Sequence, residues 1–143
     1  MNLVVKRVLV LVAVAWAVVM AIFIPDFIAA HRETKSALLA FDRYSATLVG
    51  QDYGAAYALC GTEFQNATSA EDFAAAHQHF VSSLGRLQSV KRDTYEVKGR
   101  GDGSARWRAI INASLNYQKE ALHFEFELRK SGDQWFVFGA KQI

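Results

Sequence analysis

RWRAIINASLNYQ, residues 106–118, alternates between two kinds of side chain. Trp107, Ala109, Ile111, Ala113, Leu115 and Tyr117 point one way, while Arg106, Arg108, Asn112, Ser114, Asn116 and Gln118 point the other. A period of two belongs to a strand with one dry and one wet face. The next run repeats it: Leu122, Phe124, Phe126 and Leu128 alternate with His123, Glu125, Glu127 and Arg129. A less regular strand over 87–98 precedes these two, and another over 134–140 follows. Turns over 99–103, 118–120 and 131–133 are short enough for hairpins, so the pattern predicts a four-stranded antiparallel meander.

Upstream of Arg86 the period is helical. Ala37, Phe41, Tyr44 and Leu48 form an apolar stripe, with Arg32, Glu33, Lys35, Asp42 and Arg43 assigned to the polar surface. Gly50 is expected to end this helix, and Asp52 to cap a short one over 53–60 that carries Tyr53, Ala56, Tyr57 and Cys60 on one face. Thr68 and Glu71 have capping-box spacing at the start of a third helix running to about Leu84. Its stripe is Phe73, Ala76, His77, Phe80 and Leu84. The fold class expected is α+β: one N-terminal transmembrane helix, then three helices packed on the sheet in a cone shape.

The transmembrane expectation comes from VLVLVAVAWAVVMAIFI, residues 8–24, which contains no charge, proline or glycine. As a helix it reaches roughly 26 Å, close to the apolar thickness of a bilayer. Lys6 and Arg7 precede it, and Pro25 and Asp26 follow. That flank bias keeps the N-terminus in the cytoplasm of a bacterial inner membrane and exports the rest to the periplasm. The division expected is thus an anchor over 1–30 and an exported domain over 31–143. A cleaved signal peptide, with Ile28-Ala29-Ala30 as its processing site, and a buried core helix are the competing readings. Trp16 and Met20 lie four apart in the span and mark a candidate helix-contact face.

The chain has 16 basic and 14 acidic residues, for a net charge of +2. All the acidic residues lie at or after Asp26, and the excess is Lys6 and Arg7, so the domain is formally neutral. Nucleic acid is not expected as a partner. Cys60 is the only cysteine, which excludes an internal disulfide and, far from the span, a lipidated N-terminus. No cofactor or metal is expected, because His77 and His79 point to different sides of their helix and no His/Cys cluster accompanies them.

Residues 33–143 resemble the nuclear transport factor 2-like (cystatin-like cone) superfamily. The resemblance rests on Phe41–Gly50, the segment QDYGAAY at 51–57, and the closing KSGDQWFV at 130–137. It implies a cone-shaped domain whose functional residues face its interior. The superfamily includes isomerases, dehydratases, ligand-binding domains and assembly subunits of membrane machines. Tyr44, Tyr57, His77, Trp107 and Tyr117 are the candidate pocket residues. His77 is the weak catalytic candidate, a general base only with a carboxylate to orient it, and its stripe supplies none. The function expected is a non-enzymatic accessory or scaffold subunit contacting protein partners, or further copies of itself, at the membrane. An apolar-ligand-binding domain and an isomerase or dehydratase are the alternatives.

Overall fold

The computed structural model describes residues 3–99 and 107–143. Arg106 and most of the turn over 99–103 lie outside the described residues. Four helices, α1 (Leu3–Val49), α2 (Tyr53–Ala58), α3 (Thr62–Ala67) and α4 (Ala70–Leu84), precede four strands. The strands are β1 (Leu87–Lys98), β2 (Arg108–Tyr117), β3 (Ala121–Ser131) and β4 (Gln134–Gln142). They form one antiparallel sheet in the order β1-β2-β3-β4. The protein is therefore an α+β chain with a long apolar N-terminal helix, short helices and a four-stranded meander.

The inward register of β2 is buried along its whole length, from Trp107 through Ala109, Ile111, Ala113 and Leu115 to Tyr117. Phe126 and Leu128 of β3 and Trp135 and Val137 of β4 continue that face. Ala37, Phe41, Tyr44 and Leu48 of α1 lie against it, with the Phe41 ring centroid 5.1 Å from that of Phe126.

The helices differ from expectation in three respects. The apolar span and the first amphipathic helix are one continuous helix, about 70 Å long at the usual rise. Pro25 has no N–H to offer the carbonyl one turn back, yet the helix continues through it, as apolar helices tolerate. Residue 30 thus falls inside a helix, and packing against the domain already begins at Ala29 and Ala30. Secondly, the stretch after Gly61 is a helix in its own right, α3. Six residues without an apolar stripe leave no periodic signal. Thirdly, the cap of α4 is Ser69 and not Thr68: the Ser69 hydroxyl accepts from the Asp72 N–H at 3.1 Å.

Helix α1 ends in a Schellman pair, Asp52 N–H to Thr47 O at 2.9 Å and Gln51 N–H to Leu48 O at 3.0 Å. The left-handed residue is Gln51, at φ 57°, one place after the glycine expected to stop the helix. A side chain there carries the left-handed penalty, so Gln51→Gly is expected to stabilise the protein by about 0.5–1 kcal/mol. Denaturant midpoints of the two chains measure it.

Both sheet edges are protected. The Val137 N–H donates to Leu59 O at 3.0 Å and the Gly61 N–H to Val137 O at 2.7 Å, so the link between α2 and α3 bridges onto β4. Strand β1 carries register shifts at Leu87/Ser89 and Arg92/Thr94, and charges at Lys91, Arg92, Asp93, Glu96 and Lys98, which discourage further pairing. Arg92 also reaches Asp42 of α1 at 3.1 Å.

Glu33, assigned by the sequence pattern to the polar surface, is instead 3% exposed. Its carboxylate accepts from Lys130 Nζ at 2.7 Å and from Trp135 Nε1 at 3.3 Å. It locks α1 to the β3–β4 hairpin. Burial by itself raises the carboxyl's pKa; the Lys130 hydrogen bond and charge, with Trp135 and Arg32, outweigh it and hold the value below the ordinary 4.5.

Candidate functional site

Helix α4 stands off the inner face of β3 and β4 and leaves a cavity of about 180 Å³. Phe73, Ala76, His77 and Phe80 line it from α4, Phe124 and Phe126 from β3, and Val137 and Ala140 from β4. Tyr44 of α1, Phe64 of α3 and Leu115 of β2 complete most of the wall. Asp72, Ala76 and Ala140 are exposed and form the rim. The lining is almost wholly apolar. Its aromatic rings meet edge to face: Phe64 on Phe73 at 6.0 Å and Phe80 on Phe124 at 6.1 Å.

His77 is the one imidazole in this wall. Its ring stacks on Tyr53 at 5.5 Å and meets the edge of Phe73 at 4.6 Å. Burial among these rings lowers its pKa to about 4, so it is neutral near pH 7. Those contacts are aromatic, and among the described residues no carboxylate orients either nitrogen. Tyr44 also lines the cavity, and burial raises its phenol above the ordinary value.

The remaining candidate residues lie elsewhere. Tyr57 is a clamp between α2 and α3: its hydroxyl lies 2.7 Å from Thr68 O and 3.1 Å from Gln65 O, and Gln65 Nε2 donates back to Tyr57 O at 2.9 Å. Tyr117 is buried beside Phe80 outside the lining, with its phenol pushed up to about 12 by burial and by Tyr53. Trp107 is buried near the start of β2, toward the opposite end of the sheet. Trp16 and Met20 are 64% and 44% exposed on the part of α1 that projects beyond the domain.

Cys60 is buried, and its thiol is pushed up to about 12. The thiolate that reacts is therefore scarce at pH 8. Native protein is expected to leave Cys60 unmodified by an aromatic disulfide reagent for as long as it stays folded, and denaturant to release the thiol at once. Absorbance of the released chromophore reads both.

On the outer sheet face Ser114 and His123, both on the wet side of the alternation, stand opposite each other and are joined there by Asp93, to which the sequence pattern gave no place. The Ser114 hydroxyl donates to the Asp93 carboxylate, and its Oγ lies 3.0 Å from His123 Nδ1. Asp93 reaches this position because the register shift in β1 turns it toward the outer face. The residue types are those of a hydrolase triad, but the serine proton is directed to the carboxylate and not to the imidazole. The arrangement ties β1, β2 and β3 together. Among the described residues no group of three metal-ligating side chains comes together.

No protein-family model and no curated protein matches the chain. Among solved structures the fold is similar to that of Aln2 from a Streptomyces species, with a TM-score of 0.55 at 11% identity over 78% of this chain and 89% of that one. A weaker similarity, TM-score 0.49 at 11% identity, links 68% of this chain to 71% of a SEC-C motif containing protein from Rhodopseudomonas palustris. At this identity the likeness to Aln2 concerns the fold alone.

Proposed function

We propose that the protein is a single-pass membrane protein of a bacterial cytoplasmic membrane whose periplasmic domain is a non-catalytic accessory subunit of a membrane complex. One observation carries this reading: α1 is both the apolar rod and the central helix of the domain. A domain joined in this way has no linker to swing on, which suits a part that must be held in register with neighbours. Val8–Ile24 is long and apolar enough to cross a membrane, and Lys6 and Arg7 favour a cytoplasmic N-terminus. We place the domain in the nuclear transport factor 2-like superfamily on its order of helices followed by long hairpins. His77, neutral and held by rings, is assigned no chemistry. Detergent extraction from native membranes followed by native mass spectrometry tests the proposal. A defined protein complex or homo-oligomer is expected; a strictly monomeric chain that carries nothing with it would overturn the reading.

The cavity under α4 favours a second reading, capture of a small apolar ligand. A volume of about 180 Å³ is near that of engineered cavities that take up benzene, and below the range of drug-sized sites. The ligand class is thus a single substituted ring or a short branched chain. Ala76→Phe fills the mouth and is expected to abolish uptake of such a probe, as read by the thermal shift the probe induces. Equal shifts in both chains exclude the cavity as the site.

A further inference from the structure

The cavity under α4 has few polar side chains in its wall, and they differ in depth. Asp72 stands exposed at the rim and is the only charged group of the lining. His77 is half-buried between the rings of Tyr53 and Phe73. Tyr44 lines the cavity from α1 and is only 2% exposed, with its ring edge-on to Phe126 at 6.0 Å between centroids. Its hydroxyl is the unusual group. Among the described residues it has no hydrogen-bond partner, yet it is not sealed in as the neighbouring Ser45 hydroxyl is. It therefore opens on free space, and the space that Tyr44 lines is this cavity.

A buried hydroxyl without a partner costs free energy, because water satisfies it in the unfolded chain. Burial keeps the proton on this phenol, and the two groups that act on it, Cys60 and Tyr117, push the same way. Tyr44 is thus a neutral donor that lacks an acceptor. Water serves it poorly. A buried water takes roughly two to four polar partners, and the surrounding rings of Phe73, Phe80, Phe124 and Phe126 supply none. Ions fit no better. Asp72 at the rim repels anions, and the aromatic interior holds no counter-charge for a cation.

We propose that the cavity selects a small neutral molecule with one oxygen acceptor, a single ring bearing a ketone or an ether, and that the Tyr44 hydroxyl donates to that oxygen. The contact orients the ligand, with its oxygen toward α1 and its ring among the phenylalanines. This selectivity rests on ligand capture under α4, so the test separates the two. Acetophenone and isopropylbenzene have nearly the same shape and differ in whether an oxygen or a methyl group sits at the branch. Each is titrated into the full-length parent and into Tyr44→Phe in the same detergent micelles, so that loss of probe to the detergent is common to both chains. Affinity is read from the thermal shift that each probe induces.

Tyr44→Phe is expected to weaken acetophenone about tenfold and to leave isopropylbenzene within about twofold. The carbonyl stretch of bound acetophenone is expected to lie at lower frequency in the parent than in the variant. Without probe, Tyr44→Phe is expected to be at least as stable as the parent, because the hydroxyl it removes has no partner to lose. Equal changes for the two probes overturn the role of the hydroxyl and leave the cavity as an apolar site. If neither probe shifts the parent, capture fails and the selectivity falls with it. A clear loss of stability in probe-free Tyr44→Phe would mean that the hydroxyl already has an internal partner, and overturns the proposal as well.

Discussion

Glu33→Ala is expected to cost about 3–5 kcal/mol, because it leaves the Lys130 ammonium buried without its counter-charge. Lys130 and Glu33 side chains are only 13% and 4% exposed, so water cannot readily substitute for the carboxylate. The same substitution frees the Trp135 indole N–H. Glu33→Gln keeps one accepting oxygen, enough for only one of the two donors, and is expected to cost less than the alanine but more than nothing. Replacing the pair together, as Glu33→Leu with Lys130→Met, is expected to recover much of the loss, since two apolar side chains need no partner. Denaturant unfolding of the full chain in micelles, followed by tryptophan fluorescence, measures each variant. A cost below about 1 kcal/mol for Glu33→Ala would mean that the pair is solvated.

The pH dependence has a definite sign. Glu33 has a folded pKa below its unfolded value of 4.5, so the unfolded chain binds the proton more readily. Its contribution is complete above pH 4.5 and is lost as the pH falls through the folded value. Glu33→Gln is expected to flatten the acid limb of the stability curve.

Phe126→Ala is expected to cost about 3–5 kcal/mol as well, by a different route. The ring is 2% exposed and meets Phe41, Tyr44 and Phe124. It is also part of the cavity wall, so truncation enlarges a void that already exists instead of opening a sealed one. Benzene at saturating concentration is therefore expected to restore part of the lost stability, and to raise the melting temperature of the variant more than that of the parent. No difference between the two chains would place the lost ring outside any ligand-accessible space.

The sheet was legible in the sequence because its alternation is local. Trp107 to Tyr117 needs only a period of two to reveal which side is dry. Glu33 was not legible for the opposite reason. Between Arg32 and Thr34 it looks like any solvated helix residue, and its partners come 97 and 102 residues later. The continuity of α1 was hidden by Pro25, whose usual meaning as a helix breaker is weaker in an apolar segment. Ser114 looked wet because it is polar, whereas the shift at Asp93 brings a carboxylate over it. Tyr44 and His77 line the cavity from helical stripes that face the sheet. The cavity itself comes from the stand-off of α4, a distance between elements that no residue pattern encodes.

The Glu33–Lys130 contact also sets a clock on synthesis. Ribosomes add about 5–20 residues per second, so the 97 residues between the partners take roughly 5–20 s to appear. For most of that interval, once Val49 has been added, α1 is complete while its carboxylate is unmatched and its apolar stripe uncovered. The nascent domain must therefore be completed from its last hairpin backward onto a helix made at the start. A chain truncated before Lys130 would retain the helix without its latch and with its apolar stripe open to proteases.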